Sequence, residues 1–102
     1  MAQLMALYKT PSDKAAFDAH YASTHAPLAK KIPGLKRYEI STGPVTVAQG
    51  ESPYHLVALL EFDSLDAIHS GLASPEGQAT AADLANFAHA GVELIMLDTK
   101  PA

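Results

Sequence analysis

The chain has 102 residues, 48% of them hydrophobic and 18% charged, with no low-complexity run, so it reads as one domain over residues 1–102 with a single core. Eleven acidic against seven basic side chains give a net charge of −4 and no basic stripe, which argues against nucleic acid or an anionic membrane as partner. The lack of cysteine excludes disulfides, thiolate catalysis and Cys-ligated metals; no run approaches the ~20 apolar residues that cross a bilayer and no secretory pattern opens the chain, so a cytoplasmic protein is expected.

"AQLMALYK", residues 2–9, is apolar with few interruptions and stops at Thr10-Pro11, which predicts a buried strand. A helix follows, with Ser12 as the expected cap, Asp13 at the positive end of the dipole, and Phe17, Tyr21, Thr24, Leu28 and Ile32 forming a stripe at helical spacing. Pro27 removes a backbone donor and disfavours helical angles at Ala26, which predicts a kink or an end there, and Pro33-Gly34 closes whatever remains. "LKRYEIST", residues 35–42, mixes polar and apolar residues as an edge strand does. After a loop from Gly43-Pro44 to Pro53, "YHLVALLEF", residues 54–62, is a third strand. Asp63 and Asp66 have capping-box spacing before "LDAIHSGLA", Ser74-Pro75 caps a further helix to about Phe87, and "VELIMLDT" after Gly91 is the last strand. The order β-α-β-β-α-(α)-β is the split βαβ plan of an α+β, ferredoxin-like fold with a four-stranded antiparallel sheet.

A sheet with helices on one face and water on the other should alternate apolar and polar residues. The first, third and last strands do not: Met5 and Leu7 alternate with Leu4 and Ala6, Val57 and Leu59 with Leu56 and Leu60, Leu94 and Met96 with Ile95 and Leu97. Two or three helices cover one face only, so the other is expected to pack against the same face of a second copy, giving a sheet-to-sheet homodimer.

His25 is the candidate for chemistry. At about 100° per residue it falls at the edge of the Phe17-Tyr21-Leu28 stripe, facing the sheet or a cleft mouth. An imidazole with an ordinary pKa near ~6.5 exchanges protons around neutrality, and burial favours its neutral, basic form. Backbone groups freed at Pro27 would orient the ring, and Tyr38 would lie alongside to bond a carbonyl or enolate oxygen. The competing reading makes His25 a packing residue bonded to those backbone groups and Tyr38 a plain edge aromatic. His20, His55, His69 and His89 lack the paired spacing of a zinc site, so no metal is expected. His20 is expected to face solvent, and Asp18, Glu61 and Asp83 to be surface or cap residues. No phosphate-binding loop or G-x-S-x-G elbow is present. Tyr8, Phe17, Tyr21, Tyr54, Phe62 and Phe87 either line a pocket for a flat hydrophobic molecule or form plain core. Tyr21, one turn before His25, is the first lining candidate, with Phe62 and Phe87 beside it.

"YK", then "D...F...Y...HAPLAKKIPGLKRYE", with the later "SPEG" and "DLANFAHAGVE", resembles the EthD domain family, named for its association with bacterial ethyl tert-butyl ether degradation. The resemblance covers almost the whole chain and is most specific in the H-x-P-L...PGL...Y run. It implies a dimeric α/β barrel of two ferredoxin-like subunits, each enclosing a cleft, and it fixes architecture better than activity. Related barrels include cofactor-free isomerases, monooxygenases and cyclases, so no cofactor is expected. Methylmuconolactone isomerases, to which this chain is similar, use a histidine at the end of the first helix and a tyrosine on the second strand, the places of His25 and Tyr38. The cysteine of that isomerase type and the tryptophan of haem-degrading relatives have no counterpart here. The resemblance thus implies either a cofactor-independent enzyme with His25 as general acid-base on an apolar oxygenated substrate, or a non-catalytic accessory dimer that holds a hydrophobic metabolite.

Overall fold

The computed structural model describes all 102 residues. Its four strands are β1 (Ala2–Lys9), β2 (Arg37–Ile40), β3 (Tyr54–Phe62) and β4 (Val92–Asp98), paired antiparallel in the order β2-β3-β1-β4. The two most apolar strands thus take the centre, where both backbone edges are paired, and the polar β2 takes an edge. β2 is shorter than the expected 35–42: Lys36 and Ser41 still donate to Glu61 O and Val57 O of β3, but the Val57 N–H goes to the Ser41 hydroxyl instead of a β2 carbonyl, and the ladder stops there.

Register decides which side chains share a face. Leu4 lies opposite Leu60 and Met96, and Ala6 opposite Ala58 and Leu94. The face carrying Ala2, Leu4, Ala6, Tyr8, Ala58, Leu60 and Phe62 is buried under the helices together with Phe17, Tyr21, Ile68 and Phe87. The other face carries Met5, Leu7, Val57, Leu59, Ile95 and Leu97, and no helix covers it. Principal extents of 35 × 34 × 18 Å fit this plan of one sheet and one helical layer.

The helical layer starts with α1 (Lys14–His20), which runs through a π-helical turn (Tyr21–His25) into α2 (Ala26–Ala29); α3 (Leu65–Ala73) and α4 (Pro75–Phe87) complete it. Two caps differ from expectation by one residue. Asp13, not Ser12, accepts from the Ala16 N–H at 3.0 Å, and Ser64, not Asp63, accepts from Ala67 at 3.0 Å, since in each case the extended residue just before the first turn is the one able to reach. Ser74 caps α4 as expected, through Gly77 at 3.0 Å.

The helix does not end at Pro27. Ala26 keeps helical angles (φ −61°, ψ −43°) and donates its N–H to Tyr21 O, five residues back. The wider turn makes room for the proline ring, which in an α-helix presses on the carbonyl four residues back, and it absorbs the missing donor. It also changes which residues point inward. An unbroken α-helix would leave His25 roughly 80° from Phe17; a turn of between four and five residues, roughly 4.4, takes back most of that angle and brings His25 to within about 10° of the Phe17 direction. Hence His25, Ala29 and Ile32 are buried, while Thr24 is exposed and Leu28 only half-buried, which corrects the stripe expected from uniform helical spacing.

Candidate active site

His25 is 4% exposed, and both ring nitrogens are engaged. Nδ1 lies 2.9 Å from Asp83 Oδ2 and Nε2 lies 3.2 Å from the Tyr8 hydroxyl. Asp83, on α4, is 5% exposed; Asn86 Nδ2 reaches its Oδ1 at 3.0 Å, and His20 Nε2 reaches Oδ1 and Oδ2 at 2.9 and 3.0 Å. An ionised carboxylate only accepts, so this network assigns the proton to His25 Nδ1 and leaves the lone pair on Nε2, where it accepts from Tyr8. The result is a carboxylate-imidazole-phenol chain running from α4, through the π turn, to β1.

The electrostatics agree with that assignment. Burial opposes ionisation of Asp83, but the hydrogen bonds from Asn86, His20 and His25 outweigh it and hold the carboxyl below its ordinary range. Burial lowers the His25 pKa; Asp83 pulls it back only in part, so the ring is neutral and basic at neutrality. The Tyr8 phenol is pushed far above its ordinary 10.0, first by burial and then by the neighbouring Tyr38 and Asp83, which keeps it a proton donor toward Nε2.

Around this chain lies an apolar cleft lined by Leu4, Tyr8, Tyr21, His25, Tyr38 and Leu60 among others, with about 60 Å³ of free space. That holds a water or two, not a drug-sized molecule. The Tyr21 and Tyr38 hydroxyls bond to each other at its edge. Tyr21 also lines an open outer groove of about 650 Å³ between α1 and the β2–β3 loop, with Ile40, Val45, Leu56 and His55. The tyrosine pair therefore stands where the two spaces adjoin.

The structure brings His25, Tyr21 and Tyr38 to one cleft, but Tyr38 meets Tyr21 rather than His25. Backbone groups at Pro27 do not orient the imidazole; Asp83 does, because the helix continues and uses those groups itself. Phe62 is fully buried beneath Gly34 and Gly71 and does not line the cleft. Phe87 packs behind it, its ring 4.7 Å from that of His25 and 5.0 Å from that of His20. His20 does not simply face solvent, and Asp83 is neither surface nor cap; both belong to the network. Asp18 is exposed and pairs with His55 at 2.8 Å. The sequence signal for Asp83 was its place four residues before the buried Phe87, on the inward side of α4. Tyr8, expected either to line a pocket or to form plain core, lines the cleft, while its bond to His25 had no signal in the sequence. No group of three His, Cys, Asp or Glu is arranged to hold a metal ion, and no helix is long and apolar enough to cross a membrane.

Fold and site together define an α+β, ferredoxin-like domain whose helical layer holds a buried carboxylate-imidazole-phenol chain over one sheet face. The EthD domain model matches residues 9–91, a span that includes His25, Tyr38, Asp83 and Phe87. The chain belongs to the EthD family. It is 41% identical over 99 residues to an uncharacterised 11.0 kDa protein of the thcB-thcC intergenic region of Rhodococcus erythropolis, covering 96% of this chain and 94% of that one. An EthD family protein from Bacillus halodurans is 37% identical and superposes with a TM-score of 0.88 over 98% of this chain and 99% of that one. SnoaB, a cofactor-independent oxygenase from Streptomyces nogalater, shares the fold at 19% identity and a TM-score of 0.66, over 99% of this chain and 94% of that one. Several of the solved ferredoxin-like neighbours are described as dimeric.

Proposed function

We propose that this chain is a cofactor-independent enzyme of small-molecule metabolism, an isomerase, monooxygenase or cyclase in type, with His25 as general acid-base on an apolar oxygenated substrate. The observation that carries this reading is the buried imidazole with Nδ1 fixed by Asp83 and Nε2 turned toward the tyrosine-lined cleft. A carbonyl oxygen entering between Tyr21 and Tyr38 replaces their mutual bond and accepts a hydrogen bond from a phenol O–H. An adjacent C–H then lies toward Nε2, which takes its proton as the Tyr8 hydroxyl turns away from that lone pair, and Asp83 stabilises the imidazolium that forms. The inner space admits only the reacting end of such a molecule, so its body lies along the outer groove by Ile40, Val45 and Leu56. The working unit in this reading is a homodimer closed into an α/β barrel through the uncovered sheet face, in the cytoplasm. It takes its support from that apolar face and from the dimeric state described for neighbours of the fold.

Native mass spectrometry of the purified protein reports the dimer mass and any co-purified small molecule together. With that molecule as substrate, His25→Ala is expected to lose roughly 10²–10⁴ in turnover, and His25→Gln to remove the pH step that the lowered His25 pKa sets below the ordinary value near ~6.5. Full turnover by His25→Ala refutes the assignment. One observation favours a carrier instead: the hydroxyls and ring nitrogens at the cleft are bonded to one another and leave little free volume. Affinity without turnover would establish the carrier.

A further inference from the structure

Asp83 joins two histidines that open on different spaces. His25 is shut into the apolar cleft, whereas His20 lines a separate surface groove of about 640 Å³ between the start of α1 and the end of α4. The His20 side chain is 28% exposed. No buried side-chain nitrogen or oxygen lacks a hydrogen-bond partner, and His20 Nδ1 has no partner in the chain, so that nitrogen meets solvent. The Phe87 ring packs against both His20 and His25, and the Asp83 carboxylate bonds both. Tyr8, His25, Asp83 and His20 form an unbroken line of hydrogen bonds from cleft to groove.

We propose that His20 is a positioning residue that acts through Asp83 as the port by which buried His25 exchanges protons with bulk water. The proposal deepens the reading of His25 as an acid-base group and rests on it for its use in turnover, but exchange itself is measurable without substrate. When His25 Nε2 gains a proton from the cleft, its Nδ1 proton passes to Asp83 Oδ2. At rest His20 donates its Nε2–H to Asp83; the relay runs from its other tautomer, reached by solvent-mediated exchange at the exposed ring, in which the carboxyl hands one proton to the bare Nε2 in concert while Nδ1–H releases one to water. One proton enters the line and one leaves it, Asp83 is again an anion, and both rings end neutral as Nε2–H. The reverse sequence returns a proton to Nδ1 after Nε2 has delivered its own to product. Because His20 Nε2 lies 2.9 and 3.0 Å from the two oxygens, either oxygen serves. The titratable groups around His20 are Asp83 and His25 on its inner side, and Asp13 and His89 on the groove wall.

The test is the rate at which the His25 Nδ1–H proton exchanges with water, read by NMR on the nitrogen-labelled full chain. His20→Gln, which keeps a donor toward Asp83 but cannot relay, is expected to slow exchange roughly tenfold or more. In His20→Ala, free imidazole entering the groove is expected to restore the rate in proportion to its concentration. A purely structural role for His20 predicts no imidazole dependence. Unchanged exchange in His20→Gln overturns the proposal, and so does a slowed His20→Ala that imidazole fails to rescue. If His20→Gln loses its fold, the imidazole titration of His20→Ala decides alone. Full turnover by His25→Ala would overturn the acid-base reading and leave these exchange rates, measured in chains that keep His25, untouched, so the two readings fail separately.

Discussion

Asp83 receives three donors on two oxygens while almost wholly buried, and its removal should be felt by every group around it. Asp83→Asn leaves His25 without its anionic partner. We expect the His25 pKa to fall further, because burial then acts without the opposing carboxylate, and stability to drop by about 1–3 kcal/mol as buried donors lose a charged acceptor. Proton-detected histidine titration and urea unfolding measure the two effects. The pH dependence of stability follows from the shift directions. His25 has a lowered pKa in the fold, so the unfolded chain binds the extra proton; its contribution is whole above the ordinary value near ~6.5 and declines as pH falls from there to the folded value. Asp83, also lowered, contributes fully above the ordinary carboxylate value, and that part is lost as pH falls through its folded pKa. Urea midpoints between neutrality and pH ~5 should lose their downward limb in His25→Gln. At this scale the sequence disclosed His25 through its place beside the apolar stripe and Tyr21 through being one turn before it. It hid Asp83, because an aspartate on a mostly polar helix looks solvated until its partner, 58 residues away in the chain, is known.

The π turn is the element on which the site depends. It delivers His25 to the centre of the buried stripe, and uniform helical periodicity cannot foresee it, since one wider turn resets the phase of everything after it. The strands were more readable than this segment, because period two tolerates no such drift. On the other side of the site, α4 must sit at a fixed depth for Asp83 to reach His25. A Cβ at Gly77 would lie 2.1 Å from Gly71 O and 2.6 Å from Leu72 Cα, both backbone atoms of α3 that cannot swing aside. Gly77→Ala should therefore cost about 3 kcal/mol or more and displace α4, weakening the Asp83 contact. Ser74→Ala removes the α4 cap without adding bulk and should cost only about 1 kcal/mol. Urea midpoints in which Ser74→Ala proved the more damaging of the two would contradict this account of the α3–α4 junction.

At the scale of the whole molecule, two layers cannot dispose of all the apolar surface. The failure of β1, β3 and β4 to alternate was visible in the sequence, and the structure shows its consequence in a single chain: Leu59, Ile95 and Leu97 are 39, 43 and 37% exposed on the uncovered face. Leu94 and Met96 are exposed too, on the helical side, because the helical layer leaves the edge strand β4 partly bare, a feature that depends on where helices lie and that strand pattern alone does not carry. Polar groups rim the uncovered face, with Gln3 and Glu61 bonded across β1 and β3 and Arg37 paired to Glu39 on β2. Apolar centre and polar rim is the anatomy of a protein interface, and self-association is the simplest way to complete it. Wild-type protein should sediment as a dimer at micromolar concentration. Ile95→Glu places an unpaired carboxylate in the joined face of each copy, twice per twofold dimer, and should weaken association about a hundredfold or more. Since Ile95 is already part-exposed in one chain, its monomer should stay folded, with a urea midpoint that falls below wild type only by the lost association and does not depend on protein concentration. A wild-type protein that sediments as a monomer, or an Ile95→Glu variant that sediments as the wild type does, would leave this face without the partner proposed for it.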